Sequence, residues 1–226
     1  MNKNFKTGVI FDLDGTLLDT LEDLYESVNY VLNKYHYPKR TKEEVRDFVG
    51  NGIKLLMKRA LPDNLSEEEF SECFHLFEEY YAENLQKHTQ PYPGILSLLD
   101  NLKAENVVIG LVSNKFQEGV ESLNKMFFSD YIKVAIGNQE GLSPKPAPDS
   151  VNLALKHLSL SKERDLIFYI GDSDVDIKTA KAARLPIISV TWGFRRKEIL
   201  QELKPDYLVD YPEVILEIVR YEKNKI

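Results

Sequence analysis

Short, continuous apolar runs recur along the chain, separated by segments in which apolar residues repeat at helical spacing. The first run spans residues 8–11 and ends at Asp12. Runs of this length that are apolar throughout are typical of strands buried on both faces of a parallel sheet. The later runs are 107–112, 134–136, 166–170, 187–190 and 207–209. The helical segments between them are 95–102, 120–127, 151–158 and 180–183. This alternation predicts an α/β fold with a doubly wound parallel sheet, a Rossmann-like core.

One long interval, residues 17–85, breaks the alternation because it shows helical periodicity and no convincing strand. Apolar residues recur at helical spacing through 17–32. Residues 41–44 and 66–69 each fit the capping box, in which a hydroxyl caps free amides and a Glu three residues later reaches back. We therefore expect an inserted, all-helical cap domain. The predicted domains are a cap at 17–85 and a core made of 1–16 and 86–226.

The helix predicted after the second capping box carries an aromatic stripe. Its members are Phe70, Phe74, Phe77, Tyr80 and Tyr81. A helix core explains such a stripe better than a cofactor site does. Cys73 lies on the same predicted helix and is expected to be inert.

Composition and charge narrow the function classes. The chain of 226 residues has 29 Lys and Arg against 36 Asp and Glu, a net charge of −7, which is the wrong sign for a nucleic-acid or anionic-membrane partner. No apolar run approaches the roughly 20 residues of a membrane span. Asp12 and Asp14 interrupt the apolar stretch near the N-terminus, which argues against a signal peptide. One cysteine suits a reducing compartment. We expect a cytoplasmic protein, a monomer or a homodimer, with no nucleic-acid or membrane partner.

Two aspartates, Asp12 and Asp14, directly follow the first predicted strand, and Gly15 permits a tight turn after them. In open parallel sheets, ligands bind beyond the carboxyl ends of the strands. Residues i and i+2 of an extended segment project to the same side, which directs both carboxylates into one cleft. Adjacent carboxylates repel one another unless one is protonated or a cation lies between them. The pair therefore indicates acid–base chemistry or a metal site, although an isolated motif of this kind would suit a solvated turn.

A second acidic cluster, at residues 171–176, follows another predicted strand in the same relation, which weakens the interpretation as a solvated turn. Asp172 and Asp176 are i,i+4 neighbours if a helix starts there, so they could share a face and serve a common cation. Asp174 departs from that face and is expected to be a solvated carboxylate near a helix N-terminus. Several carboxylates with no His or Cys nearby in sequence favour magnesium over zinc.

Two further segments supply groups suited to binding an anion. Ser113 and Asn114 follow a predicted strand and offer a hydroxyl and backbone amides. Lys145 precedes a helical pattern, and its charge could neutralise a phosphoryl oxygen. Neighbouring prolines restrict the backbone that carries this lysine. Together with the two acidic clusters, these segments indicate a phosphate site.

Four short motifs thus occur in a fixed order. They are Asp12-Leu13-Asp14-Gly15-Thr16, Ser113-Asn114, Lys145-Pro146-x-Pro148 and Gly171-Asp172-Ser173-x-x-Asp176. This order strongly resembles the four motifs of the haloacid dehalogenase-like hydrolases, and the resemblance covers nearly the whole chain. The helical insertion after the first motif resembles the cap domain of the subgroup that includes the phosphoglycolate phosphatases. Residues 49–61, 111–115 and 191–194 are similar to segments of the bacterial phosphoglycolate phosphatases.

The resemblance implies a mechanism for the acidic residues. Asp12 would be the nucleophile that forms an aspartyl-phosphate. Asp14 would protonate the leaving alcohol and then deprotonate the attacking water. Mg²⁺ would be held by Asp12, Asp172 and the backbone carbonyl of Asp14.

The resemblance also assigns roles to the residues around these acids. Ser113, the amide of Asn114 and Lys145 would hold the phosphoryl oxygens. Asp176 would orient Lys145 or a water on the metal. Thr16 is assigned to cap closure or to the start of a helix.

In the cap, Gly50, Asn51 and Gly52 would form the loop that reaches over the leaving group. Lys54 could meet a substrate carboxylate, and a solvated helix lysine is an equally good interpretation. Arg195 and Arg196 lie in a loop after a predicted strand, where a solvated surface is the preferred interpretation and a substrate contact the other.

The implied function is a magnesium-dependent phosphatase that acts on a small phosphorylated metabolite, with 2-phosphoglycolate as the expected substrate. A sugar-phosphate mutase, a nucleotidase and a pyrophosphatase remain open, because only the cap distinguishes them. A receiver-like signalling protein and a non-catalytic phosphate-binding protein are the alternatives from other classes. The length, the helical insertion and Asp14 argue against the receiver.

Overall fold

A six-stranded parallel sheet forms the centre of the computed structural model, which describes residues 5–226. Its strand order is β5-β4-β1-β6-β7-β8, and every neighbouring pair is parallel. The strands are β1 (Thr7–Phe11), β4 (Val108–Phe116), β5 (Val134–Asn138), β6 (Leu166–Gly171), β7 (Ile187–Val190) and β8 (Tyr207–Val209). All six apolar runs are therefore strands, as predicted.

Six helices cover the two faces of this sheet. They are α5 (Ile95–Ala104), α6 (Gln117–Phe127), α7 (Asp149–His157), α8 (Asp174–Ala183), α9 (Lys197–Glu202) and α10 (Pro212–Lys223). Val9 and Phe11 of β1 pack into a cluster that contains α5, α6 and α10, whereas Ile10 packs into a second cluster with α7, α8 and α9. Alternate residues of a strand point to opposite faces, so this division confirms the doubly wound α/β fold. Helices α9 and α10 were not predicted from the sequence.

Four helices occupy most of the interval predicted to be helical. They are α1 (Leu21–Lys34), α2 (Lys42–Phe48), α3 (Ile53–Ala60) and α4 (Glu67–Asn84). Both predicted capping boxes are present, at the N-termini of α2 and α4. The helices pack on one another around Cys73, Phe77 and other buried side chains. The exact boundaries proposed for a separate cap domain stay a prediction.

The expectation of no strand in residues 17–85 was wrong at one point. Leu18–Asp19 forms a short strand, β2, that pairs antiparallel with β3 (Gln90–Pro91) on the chain's return. The helix predicted from Leu17 begins at Leu21 instead, because the amides of Leu17 and Leu18 both donate to the carbonyl of Leu13 and close a tight loop. Two-residue strands carry too little periodicity to be predicted.

A buried carboxylate on α1 binds residues 88–89, next to the pair formed by β2 and β3. Asp23 is 1% exposed and accepts hydrogen bonds from the backbone amides of His88 and Thr89 and from the Thr89 hydroxyl. Charge-assisted bonds of this kind are among the stronger ones in proteins. The two segments that join the helical insertion to the sheet are thus held to each other. Within residues 5–226, no helix is both long enough and apolar enough to cross a membrane.

Candidate active site

The carboxyl ends of β1, β4 and β6 meet at one edge of the sheet, and the predicted motifs meet there too. Asp12 follows β1, and Lys145 comes from the loop before α7. The Lys145 ammonium lies 2.7 Å from Asp12 Oδ1 and 2.7 Å from Asp176 Oδ1. It also donates to the hydroxyl of Tyr169 at 3.2 Å. The lysine is therefore held between two carboxylates and a phenol, in a site from which solvent is nearly excluded.

Asp176 lies at the first turn of α8 and is fully buried. Its Oδ2 accepts from the amide and the hydroxyl of Ser173, at 3.1 and 2.6 Å, in a capping box. Its Oδ1 accepts from Lys145 and, at 3.1 Å, from the Tyr169 hydroxyl. Both oxygens are thus occupied by protein donors, which suits Asp176 to orient Lys145. Tyr169 belongs to a strand whose residues were all interpreted as core, so its hydroxyl was missed.

Asp172 lies just before the N-cap of α8, rather than on the helix as the i,i+4 interpretation assumed. Thr16 donates to its Oδ1 at 3.3 Å, and the amide of Phe194 donates to its Oδ2 at 2.7 Å. A Cβ at Gly193 would collide with Asp172, so glycine is what allows the loop after β7 to approach this closely. Thr16 therefore contacts a carboxylate of the site, that of Asp172.

Burial and mutual repulsion disfavour the ionised forms of Asp12 and Asp172 in this cluster. Burial, with a further contribution from the negative charge of Asp176, raises the pKa of Asp172 to about 7. Burial and Asp176 also raise the pKa of Asp12 well above its ordinary value, although Lys145 opposes them. One ammonium therefore does not fully offset the three carboxylates.

The carboxylate oxygens of this cluster fit a hard divalent cation. Oxygens of Asp12, Asp172 and Asp176 all lie within 4.8 Å of one another, and all three residues are buried. Oxygen ligands and excess negative charge suit Mg²⁺. Since both oxygens of Asp176 already accept hydrogen bonds from protein groups, Asp12 and Asp172 are the side chains best placed to bind an ion. Asp14 was predicted to contribute its backbone carbonyl, and its side chain lies outside the cluster.

Asp14 faces a different set of partners from Asp12, two residues away. The Ser113 hydroxyl lies 3.4 Å from its Oδ2, and the ammonium of Lys115 lies 3.2 Å from its Oδ1. Lys115 also donates to the hydroxyl of Tyr81, which comes from α4. The two carboxylates of the first motif thus occupy distinct environments, one beside Lys145 and the other beside Lys115.

Lys115 and Tyr81 are buried and border the cleft. Burial by itself lowers the pKa of Lys115, but the charge of Asp14 and the contact with Tyr81 outweigh it, so the pKa is raised and the lysine stays charged. Burial raises the pKa of Tyr81 to about 12, so the phenol keeps its proton at neutral pH. Tyr81 had been interpreted as helix core; it is buried, and its hydroxyl also reaches the site.

Asn114 links two of the predicted segments. Its side-chain amide donates to the carbonyl of Lys145 at 3.0 Å, and its side-chain oxygen accepts from the Lys145 amide at 2.8 Å. These reciprocal bonds fix the Lys145 loop against the end of β4. The side chain of Asn114 is thus engaged within the protein, and the predicted phosphate contact concerns its backbone amide.

The residues predicted in the cap are only partly brought to the site. Gly50 and Gly52 line the cleft above the carboxylates. The Asn51 side chain accepts from Arg59 at 3.1 Å. Lys54 is exposed and borders a different cleft, so the structure does not bring it to this site.

Arg195 lines the same cleft, against the preferred interpretation of a solvated surface. It donates to the carbonyl of Val49 at 2.6 Å and lies 3.2 Å from Asp174. The contact joins the cap loop to the core loop after β7. Asp174, expected to be solvated, is 27% exposed and pairs with both Arg195 and Lys178. Arg196 is exposed, as expected.

Replacement of Lys145 by methionine is expected to lower the free energy of unfolding by about 3 to 5 kcal/mol, because it leaves Asp12 and Asp176 buried without their shared cation. Urea denaturation in the presence of a chelator measures the effect. Lys178→Met, which removes an exposed lysine paired with Asp174, is the matched control and is expected to change stability little. Equal losses in the two variants would contradict this description of the cluster.

Comparisons with known proteins agree with this geometry. A family model described as haloacid dehalogenase-like hydrolase matches residues 9–190. A phosphoglycolate phosphatase of Vibrio cholerae is 33% identical over 222 residues, which cover 93% of this chain and 96% of that protein. A phosphoglycolate phosphatase of Nitrosococcus oceani is 31% identical over 207 residues, covering 89% of this chain and 91% of that protein.

Solved structures give the same result. A crystal structure of a Lactobacillus delbrueckii subsp. bulgaricus protein assigned as a phosphoglycolate phosphatase superposes with a TM-score of 0.90 at 32% identity, covering 95% of this chain and 98% of that one. The family match spans all four motifs of the site. The chain therefore belongs to the haloacid dehalogenase-like hydrolases.

Proposed function

We propose that the protein is a magnesium-dependent phosphatase that hydrolyses a small phosphomonoester, with 2-phosphoglycolate as its preferred substrate. The observation that carries the proposal is that Asp12 and Asp14 lie in different environments. Asp12 lies among Lys145, Asp172 and Asp176, whereas Asp14 lies between Ser113 and Lys115. Two carboxylates in different environments suit two different roles in one reaction.

In the proposed reaction, an oxygen of Asp12 attacks phosphorus while the bond from phosphorus to the ester oxygen breaks. Asp14 gives its proton to the leaving oxygen and later removes a proton from the water that attacks the aspartyl-phosphate. Ser113, the amide of Asn114 and Lys145 hold the phosphoryl oxygens. Asp12, Asp172 and the backbone carbonyl of Asp14 would hold Mg²⁺, whose charge offsets the repulsion between a phosphate dianion and Asp12.

The cleft supports a small substrate. Its walls combine the polar residues of the sheet edge with side chains of the helical insertion, among them Leu24, Ile53 and Leu56. The helices thus cover the edge where the ester would bind, and Arg195 joins the loop at Val49 to the core. Similarity to proteins named phosphoglycolate phosphatase supports the choice of 2-phosphoglycolate.

The proposal includes the cytoplasm as the place of action. Cys73 is the chain's only cysteine, and it is free and buried in the helical insertion. A small phosphorylated metabolite is the partner that the proposed reaction requires.

The test is phosphate release from a panel of esters, with Mg²⁺ or with chelator. The panel contains 2-phosphoglycolate, hexose phosphates, nucleoside monophosphates and pyrophosphate. The proposal predicts release that depends on magnesium and is fastest for 2-phosphoglycolate. Faster release from another ester would agree with the mechanism and contradict the choice of 2-phosphoglycolate as substrate. Conversion between hexose phosphates would indicate a mutase. No release from any ester by the folded protein would contradict the proposal as a whole.

Stabilisation of the protein by Mg²⁺ is expected to increase with pH. In the metal-free protein, the pKa of Asp172 is about 7, above the value of about 3.9 for an unfolded aspartate. The folded chain then binds more protons between these values, so metal-free stability falls as the pH rises through that window. Mg²⁺ needs ionised carboxylates and competes with those protons.

Thermal unfolding at about pH 5.5 and about pH 8, with excess MgCl₂ or with chelator, measures this difference. The rise in melting temperature on adding MgCl₂ should be clearly larger at the higher pH. KCl at matched ionic strength controls for screening. An equal rise at both pH values would contradict metal binding at the Asp12 and Asp172 cluster.

A further inference from the structure

The site contains a buried ammonium, that of Lys115, for which the proposed reaction has no use. The Lys115 side chain is 2% exposed, and within residues 5–226 its hydrogen-bond acceptors are Asp14 and the hydroxyl of Tyr81. The ammonium also lies 4.4 Å from the centre of the Tyr81 ring. An ammonium has three protons to donate, so one remains after these two bonds. Lys115, Tyr81 and Asp14 all line the cleft that contains Asp12.

The other two cations that line this cleft have different partners. Lys145 donates to Asp12, Asp176 and Tyr169, and the proposed reaction assigns it to the phosphoryl oxygens. Arg195 is held by Asp174 and by the carbonyl of Val49. Among the residues that the structure describes, Lys115 is the cation of the cleft that contacts Asp14, and it has a donor left for a ligand.

The two lysines contact different carboxylates of the first motif. Lys145 contacts Asp12, which attacks phosphorus, and Lys115 contacts Asp14, which protonates the ester oxygen. A substrate placed for this reaction runs from the phosphoryl group at Asp12 to the leaving oxygen at Asp14. The first atoms beyond that oxygen then come next to Lys115 and Tyr81.

We propose that Lys115, held by Tyr81, binds a carboxylate attached to the carbon that carries the ester oxygen, and so selects phosphate esters of 2-hydroxy acids. This inference rests on the proposed function and adds the residue that sets its specificity. A carboxylate in this position is two bonds from the ester oxygen, within reach of an ammonium that contacts Asp14. A charged pair in this water-poor cleft is stronger than one in solvent.

The inference ranks three substrates of similar size. 2-Phosphoglycolate has its carboxylate two bonds from the ester oxygen, 3-phosphoglycerate has it three bonds away, and 2-hydroxyethyl phosphate has a neutral hydroxymethyl group in its place. The wild-type protein should prefer the first of these by at least about tenfold in kcat/KM over the neutral ester, which is the usual effect of a charge-assisted hydrogen bond. A wild-type preference for 2-hydroxyethyl phosphate would overturn the inference without any variant.

The decisive experiment compares kcat/KM for 2-phosphoglycolate and 2-hydroxyethyl phosphate in Lys115→Met and Lys115→Gln. We expect the ratio between the two esters to fall by about 10- to 100-fold, mostly through KM for 2-phosphoglycolate. Glutamine is able to keep polar contacts with Asp14 and Tyr81, so the Lys115→Gln variant still tests the inference if the methionine variant unfolds. Circular dichroism and thermal unfolding establish folding.

Two further variants serve as controls. Tyr81→Phe keeps the ring and removes the hydroxyl that orients Lys115, so it should lower the ratio by less than Lys115→Met does. Lys125→Met changes an exposed lysine on α6 and should leave the ratio unchanged.

Equal losses for the two esters in the Lys115 variants would mean that this lysine supports only Asp14 or the fold, and the inference would be overturned while the proposed function stands. A wild-type protein that released phosphate from neither ester would overturn the proposed function, and this inference with it. The two failures are therefore distinguishable.

Discussion

Asp12→Asn is expected to reduce magnesium-dependent phosphate release by at least about 10⁴-fold, the scale seen when a catalytic nucleophile is removed. Asparagine has nearly the same shape as aspartate, but its amide does not form the covalent intermediate. Lys145 keeps Asp176 as a partner in the variant. Because burial already disfavours the charged form of Asp12, a neutral residue at this position should leave the fold intact.

The measurement is the steady-state rate with 2-phosphoglycolate, together with circular dichroism to confirm folding. Asp130→Asn, at an exposed turn away from the cleft, is the matched control and should retain wild-type activity. A folded Asp12→Asn variant that kept more than about a hundredth of the wild-type rate would contradict the assignment of Asp12 as the nucleophile.

Asp14→Asn is expected to lower kcat for alkyl phosphates by about 10²- to 10⁴-fold, because the variant lacks the proposed general acid and base. The effect on the first chemical step should depend on the leaving group. An alkoxide needs a proton as it departs, whereas p-nitrophenolate departs without one. The variant should therefore release p-nitrophenol from p-nitrophenyl phosphate in a rapid first turnover and then slow down, since the proposed reaction also uses Asp14 to activate the water.

Rapid-quench kinetics separates these steps. The expected result is a burst of p-nitrophenol from Asp14→Asn, about one per protein molecule, and no burst of product from 2-phosphoglycolate. The wild-type protein serves as the control for both substrates. An equal loss in the first turnover for both leaving groups would contradict the assignment of Asp14 as the acid.

The sheet could be predicted from the sequence because its strands are buried on both faces. The continuous apolar run at residues 8–11 has no alternation to obscure it, and the acidic motif follows it directly. Parallel strands then place their carboxyl ends at one edge, which brings Asp12 near Lys145 although 133 positions separate them. The grouping of Asp12, Lys145, Asp172 and Asp176 follows from topology in this way.

The remaining contacts depend on how the helical insertion docks, which local pattern does not encode. Tyr81 lies 34 positions before Lys115, and only the packing of α4 against the end of β4 brings them together. Arg195 reaches the carbonyl of Val49 across 146 positions, from a loop without periodicity. Lys115 and Arg195 each carry a signal in the sequence. Lys115 lies two residues after Ser113 at a strand end, and Arg195 lies two residues after Gly193, which approaches Asp172.

Covalent phosphorylation of Asp12 is the claim on which the whole mechanism depends. The most direct test is to mix the protein with 2-phosphoglycolate and Mg²⁺, quench in acid within one turnover, and examine the peptides by mass spectrometry. The mechanism predicts one phosphoryl group on Asp12, absent with chelator and absent in Asp12→Asn. Turnover with no label on Asp12, or with the phosphoryl group on another residue, would contradict it.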